Sequence, residues 1–243
     1  KEADFWRVLF GLGIRHVGER VAQSLAAAFG SMDALAGASA GAMQAVRDIG
    51  PVAAAAVREY FNEPHNLALV VLGASLLWFG WFGFNGGSAL SSGALSTLAF
   101  VTTQLGAMAG ALAWVVLDWR VAKRPTTLGL LSGLIAGLAA VTPAAGFVGP
   151  LAALGIGAVA GALCYASVMV VKAKFKYDDS LDAFGIHGVA GIWGVLAVGL
   201  WATVTVNANG ADGLFHSGAR QLLVQFVAVV VTGTRDAYDL EGR

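Results

Sequence analysis

LALVVLGASLLWFGWFGFNGGSAL, residues 67–90, carries no charged side chain. It is long enough to cross a bilayer once, because a helical crossing takes roughly 20 apolar residues. The pattern continues outward from it. No Asp, Glu, Lys or Arg occurs between Glu63 and Asp118, or between Arg124 and Lys172. Each of these runs has room for two crossings. Only 12% of the 243 residues are charged and 57% are hydrophobic, with a mean hydropathy of +0.72. A soluble domain carries about 25% charged residues, so these runs are not a soluble surface.

Six apolar segments follow, at about 66–90, 95–117, 127–146, 149–171, 185–206 and 219–233. The last is short, because Arg235 follows soon after Arg220. The connections alternate in charge. Residues 118–126 hold three Lys/Arg and residues 172–182 hold three Lys, whereas 91–94, 147–148 and 207–218 hold none. Basic loops stay on the cytoplasmic side, which places residues 1–65 in the cytoplasm and the chain as a multi-pass protein of the cell's inner (plasma) membrane. Small residues recur as Gly129–Gly133–Gly137 and Gly155–Gly157–Gly161. In lipid such faces let helix backbones approach for dispersion contacts.

Residues 1–65 are different, with six Lys/Arg and seven Asp/Glu, the density of an ordinary soluble domain. The shift near Pro64 is the expected domain boundary. It divides a head (1–65) from the transmembrane helices (66–233), with residues 234–243 an unassigned tail. Lys1-Glu2-Ala3-Asp4, Arg15, Glu19 and Arg20 break any cleavable signal core. The formal net charge is zero, so bulk electrostatics does not nominate a nucleic acid partner. The lone Cys164 can form no internal disulfide.

Two polar features lie at membrane depth. His187, in DAFGIHGVAGIWG (182–194), reads as two turns inside an apolar helix. Such an imidazole faces a cavity or a partner, and the alternative is one that donates to a neighbouring helix's carbonyl. Gly185, Gly188 and Gly191 flank it and would let other helices approach. In WFGFNGGS (81–88), Trp81, Phe84 and Ser88 share one helical stripe. That stripe is either packing or a vestibule offering hydroxyl and π-face contacts to a cation.

LLWFGWFGFNGGSAL (76–90), GLAAVTPAAGFV (137–148) and DDSLDAFGIHGVAGIWG (178–194) resemble the sixth, eighth and tenth helices of the ammonium transporter (Amt/Mep/Rh) family. The resemblance implies a trimeric, eleven-helix fold of two inverted halves around a narrow apolar pore. In that family ammonium is recruited at an outer site, loses a proton and passes a pair of pore histidines as ammonia. Ser88 matches the recruitment serine, Phe84 a gate phenylalanine, Trp81 a pore-lining tryptophan and His187 the second pore histidine. The family's first five helices have no counterpart here, and with them go the first pore histidine and the rest of the recruitment site. His65 and His216 do not substitute for that histidine. The resemblance therefore implies an incomplete channel, inactive alone.

The head contains a weak repeat. Ile14-Arg15-His16-Val17-Gly18 recurs as Val46-Arg47-Asp48-Ile49-Gly50, each ending a helix and opening a new one at glycine. Free N–H groups at such a helix start suit a phosphate, although glycines in short helical turns also serve simply as caps. Residues 9–39 with 46–66 resemble the helix-hairpin-helix domain of bacterial NAD-dependent DNA ligases. By that resemblance Arg15, His16, Gly18, Arg47, Gly50 and Pro51 would grip a DNA backbone. Asp48 and the near-neutral charge of the head would keep the affinity low. No Lys-x-Asp-Gly motif is present, so no ligase chemistry is expected.

Val230-Val231-Thr232-Gly233-Thr234 resembles the strand that opens a ligase's C-terminal BRCT domain. The whole reads as an all-α chimera: about six transmembrane helices, half of an inverted-repeat fold, behind a small helix-hairpin-helix domain. The expected protein is no enzyme and needs no cofactor or metal. Its partners are ammonium or ammonia, membrane lipid, two further copies in a trimer, and DNA held weakly by the head.

Overall fold

The computed structural model describes residues 5–175, 179, 182–216 and 219–241, apart from the side chains of 173 and 235–241. The basic loop 172–182 is therefore described only in part, as are the head's first residues and the tail. Among the described residues all regular structure is helical.

The head consists of α1 (Phe5–Gly11), α2 (Glu19–Phe29), α3 (Met32–Gly37), α4 (Ala40–Gln44) and α5 (Pro51–Asn62). The sequence repeat is a repeat of backbone geometry. His16 (φ 64°) and Asp48 (φ 72°), 32 positions apart, both sit in the left-handed region that Asn, Asp and His tolerate best. In the first turn the Val17 N–H donates to Ile14 O, and in the second Ile49 N–H donates to Val46 O. Gly18 and Gly50 then cap α2 and α5 with extended backbone, and Pro51 fits the first position of α5, where no helical N–H is needed. Ser31 and Ser39 cap the short helices α3 and α4 through their side chains. Leu9, Leu25, Leu35, Met43 and Val57 close a core separate from that of the bundle.

The bundle is formed by α6 (Pro64–Gly87), α7 (Ala94–Val121), α8 (Thr127–Val141), α9 (Pro150–Ala166) and, beyond the loop, α11 (Val189–Trp201) and α12 (Arg220–Glu241). A π-helical turn, Ser167–Val171, carries α9 into α10 (Lys172–Phe175), and another, Phe184–Gly188, leads into α11. Four helical stretches are long and apolar enough to span a membrane: Pro64–Gly87, Ala94–Val121, Pro150–Val171 and Phe184–Trp201. Thr127–Val141 and Arg220–Thr234 are apolar but shorter. The six expected segments thus all appear as helices, four of them at spanning length. The residues resembling a strand at 230–234 lie inside α12 instead. A run of β-branched residues is ambiguous when the apolar pattern around it continues, and here the continuation decided for helix.

The centre of the bundle is α7, flanked by α8 and α9. The small-residue spacing does what lipid requires of it. A Cβ on Gly137 would lie 2.2 Å from Gly106 O, and one on Gly157 would lie 2.1 Å from the same oxygen. Gly133 and Gly161 meet Gly110 O in the same way, at 2.6 Å and 2.5 Å. Gly155, expected to share this role, faces open space. α11 joins by seating Gly194 against the Ala140 carbonyl. α6 lies on the outside, with Leu69, Leu72, Leu76 and Phe79 more than half exposed.

The head packs against the end of the bundle that carries the two basic loops. The Phe5 ring lies 5.8 Å from Lys172 Nζ, and Ser132 of α8 hydrogen-bonds Asp33 of α3. Glu63, in extended conformation, is the single residue between α5 and α6.

Candidate functional site

Trp81, Phe84 and Ser88 come together as their spacing predicts. The Trp81 indole N–H donates to Thr142 Oγ1 at 2.7 Å, and the Trp81 and Phe84 rings meet edge to face at 6.3 Å. Phe84 is 62% exposed and Ser88 is exposed, with its hydroxyl donating to Phe84 O at 2.6 Å. Phe84 and Ser88 line a half-open cavity of about 270 Å³ together with Thr142, Phe147 and Asn207, and Trp81 adjoins it through Phe84 and Thr142. The cavity opens at the end of the bundle away from the head. It offers an aromatic face, a hydroxyl and an amide to a small cation, with no carboxylate among its lining residues.

Asn85 lines the same cavity but is buried, and its amide donates to Thr103 Oγ1 at 2.8 Å. It ties α6 to α7. Thr142, Phe147 and Asn207 were not singled out from the sequence. Thr142 and Phe147 stand within the GLAAVTPAAGFV stretch, so position in that stretch was the available signal. Asn207 comes from a distant turn and left none.

His187 is not part of this cavity. It lies in the π-helical turn Phe184–Gly188, about one turn from the helix start rather than two, near the opposite end of the bundle. The cause lies in the acidic stretch before it. Asp179 accepts hydrogen bonds from the N–H groups of Phe184 (3.1 Å) and Gly185 (2.8 Å), which starts the helix at that point. Lys172 holds the approach, donating to Asp182 Oδ1 at 2.6 Å and to Asp179 O. Within this π turn the Ile186 carbonyl accepts from the Val189 N–H and also from the Cys164 thiol at 3.4 Å.

His187 itself is exposed. Its flanking glycines do not bring helices around it: Gly191 meets open space, and a Cβ on Gly188 would strike the Phe184 ring of the same turn. Of the three, only Gly185 faces another element closely, with a Cβ contact of 2.8 Å to Val168. Asp179, Asp182 and Lys172 are therefore the positioning groups that the sequence reading missed. An acidic residue just before an apolar helix was the signal.

In the head, Arg15, His16, Gly18, Arg47, Gly50 and Pro51 are all exposed at the two repeated turns. Arg15 and His16 border a groove of about 530 Å³ that also holds Glu59 and Glu63. Arg20 Nη2 pairs with Asp48 Oδ2 at 3.3 Å across the two turns, an exposed contact worth little in water. No group of three or more His, Cys, Asp or Glu among the described residues could hold a metal ion.

A bundle of glycine-packed apolar helices, four of them long enough to span a bilayer, with a small aromatic and hydroxyl pocket at one end, is the architecture of a polytopic membrane protein. The Ammonium Transporter Family model matches residues 22–237, and the chain belongs to that family. It is 52% identical over 171 residues to the ammonium transporter of Bacillus subtilis, which covers 70% of this chain and 42% of that protein. It is 48% identical over 178 residues to ammonium transporter Amt1 of Archaeoglobus fulgidus, covering 73% of this chain and 44% of that protein. Among solved structures it is similar to Mep2 of Saccharomyces cerevisiae, with a TM-score of 0.63 and 40% identity over 70% of this chain and 41% of that one. The chain spans less than half the length of these relatives.

Proposed function

We propose that residues 66–233 form one wall of an ammonium-conducting path, in which Trp81, Phe84 and Ser88 receive the cation and His187 serves the path's interior. The observation that carries this reading is the pocket itself. Phe84, Ser88 and Thr142 line it, and Trp81, pinned by Thr142, stands edge-on to Phe84. An aromatic face with one hydroxyl attracts a small cation without the deep charge that would trap it. The relatives' printed descriptions as ammonium transporters fit that chemistry.

The exposure of His187, Phe84 and Ser88 makes this wall one-sided. A conducting path needs a facing surface that supplies the second pore group, and three copies around a common axis are part of the same reading. We place residues 1–65 in the cytoplasm, because the head and both basic loops share one end of the bundle. The experiment is methylammonium flux into liposomes. The chain alone is expected to give none. Co-reconstitution with the N-terminal half of a full-length relative restores flux, and His187→Ala removes it. Flux from the chain alone that His187→Ala abolishes would contradict the one-wall reading, and a stable complex without flux would contradict the function.

The repeated turns favour a second reading for the head, as a segment of separate, ligase-like origin that contacts DNA backbone. Its support is that Arg15 and Arg47 stand exposed at matching positions, beside the capped starts of α2 and α5. The carboxylates of Glu59 and Glu63 beside Arg15 would keep such binding weak. Salt-dependent binding of the full chain to duplex DNA, reduced by Arg15→Ala with Arg47→Ala, supports it. No binding at low salt ends it.

A further inference from the structure

Asp33 lies on α3 with its carboxylate turned towards the bundle. Its Oδ2 accepts a hydrogen bond from Ser132 Oγ of α8 at 3.0 Å, across 99 positions of sequence. Both residues stand at the seam between head and bundle. There a cavity of about 260 Å³ is lined from the head by Phe29, Asp33 and Ala38, and from the bundle by Trp114, Asp118 and Arg124. Besides the covalent link through Glu63 and the Phe5 ring against Lys172, the head is therefore held by this contact beneath α3.

Charges of both signs surround Asp33, and the carboxylates among them oppose its ionised form. α8 carries no charged residue. From α7 comes Asp118, whose Oδ2 accepts from Thr126 Oγ1 at 3.1 Å. From the stretch before α11 comes Asp182, paired with Lys172 of α10. From α5 comes Arg58, which donates to Ala38 O at 2.9 Å. Arg124, on the loop between α7 and α8, lines the same cavity. Loss of water around the carboxylate, and then the nearby charge of Asp182, push Asp33 up to about 7, against the opposing Ser132 hydrogen bond.

We propose that this seam is a proton-operated latch, in which residues 5–62 dock on the basic-loop end of the bundle while Asp33 is protonated and are released as it ionises. The sign follows from linkage. Docked Asp33 binds its proton more tightly than an undocked, solvated aspartate, whose pKa is about 3.9. Docking is therefore strongest below about pH 4 and is lost as pH rises through about 7. Between pH 5 and pH 8 the ratio of docked to released head falls on the order of tens-fold.

Spin labels on the full chain test this, with Cys164→Ala as background and cysteines replacing Ala27 in α2 and Val121 at the end of α7, both exposed. Pulsed distance measurements in detergent are expected to give one narrow distance at pH 5. A second, broader population should grow through pH 7. Asp33→Asn, which cannot ionise, should hold the narrow distance throughout. Ser132→Ala removes a donor that favours the ionised form, and so should move the midpoint to higher pH, an effect that a merely structural contact would not produce. A distribution unchanged by pH overturns the latch. So does a transition that persists in Asp33→Asn or keeps its midpoint in Ser132→Ala.

Discussion

In the head, Leu9, Leu25, Leu35 and Met43 are fully buried between short helices, whereas the closest contacts in the bundle are glycines meeting backbone across α7, α8 and α9. Both regions are helical and each has its own core. They differ in the solvent they exclude. In water, burying a large apolar side chain contributes about 1.5–3 kcal/mol, so the head gathers bulky residues into its interior. In lipid there is no such gain, because the surroundings are as apolar as the side chain. Association then rests on close backbone approach. Many large apolar residues of the bundle accordingly point outward, as on α6. Its small ones line the closest helix contacts, beside a few buried large ones such as Trp114, Leu138 and Ile156.

Three substitutions test that contrast, in descending order of effect. Gly137→Leu drives a side chain into the Gly106 carbonyl, which is backbone and cannot move aside. It is expected to cost more than about 3 kcal/mol and to split α7 from α8, seen as loss of a single peak on size exclusion in detergent. Leu25→Ala opens a void in the head, with a loss of about 3 kcal/mol. Thermal unfolding should show the head melting earlier while the bundle transition stays in place. A bundle that weakens equally would mean the two cores are one. Gly191→Ala meets open space on a helix face, and so should leave bundle stability unchanged or raise it by up to about 1 kcal/mol. A large loss there would show a packed partner on that face.

The bundle's helices were legible because a charge-free run in lipid has few alternatives to helix. The change in charge density near Pro64 falls where Glu63 alone separates α5 from α6. The twin turns were legible as a repeat, and the structure gave them one geometry, with His16 and Asp48 in the same left-handed conformation. The depth of His187 was not legible. It depends on where Asp179 starts the helix and on a π turn, and apolar periodicity encodes neither. The stripe of Trp81, Phe84 and Ser88 was readable because it lies on one helix. Thr142 and Asn207 were not, because they join that site only through the packing of distant segments. The docking of the head through Asp33 and Ser132 was invisible for the same reason.

The glycine-packed interior of the bundle is closed, whereas Phe84 and His187 stand exposed on its surface. Cys164 is fully buried and provides an internal reference. The direct measurement is the rate of N-ethylmaleimide modification of the His187→Cys protein in mild detergent, followed by intact mass. Rapid addition of one label at position 187 is expected while Cys164 stays unmodified. Protection of position 187 equal to that of Cys164, or labelling of both at similar rates, would contradict it.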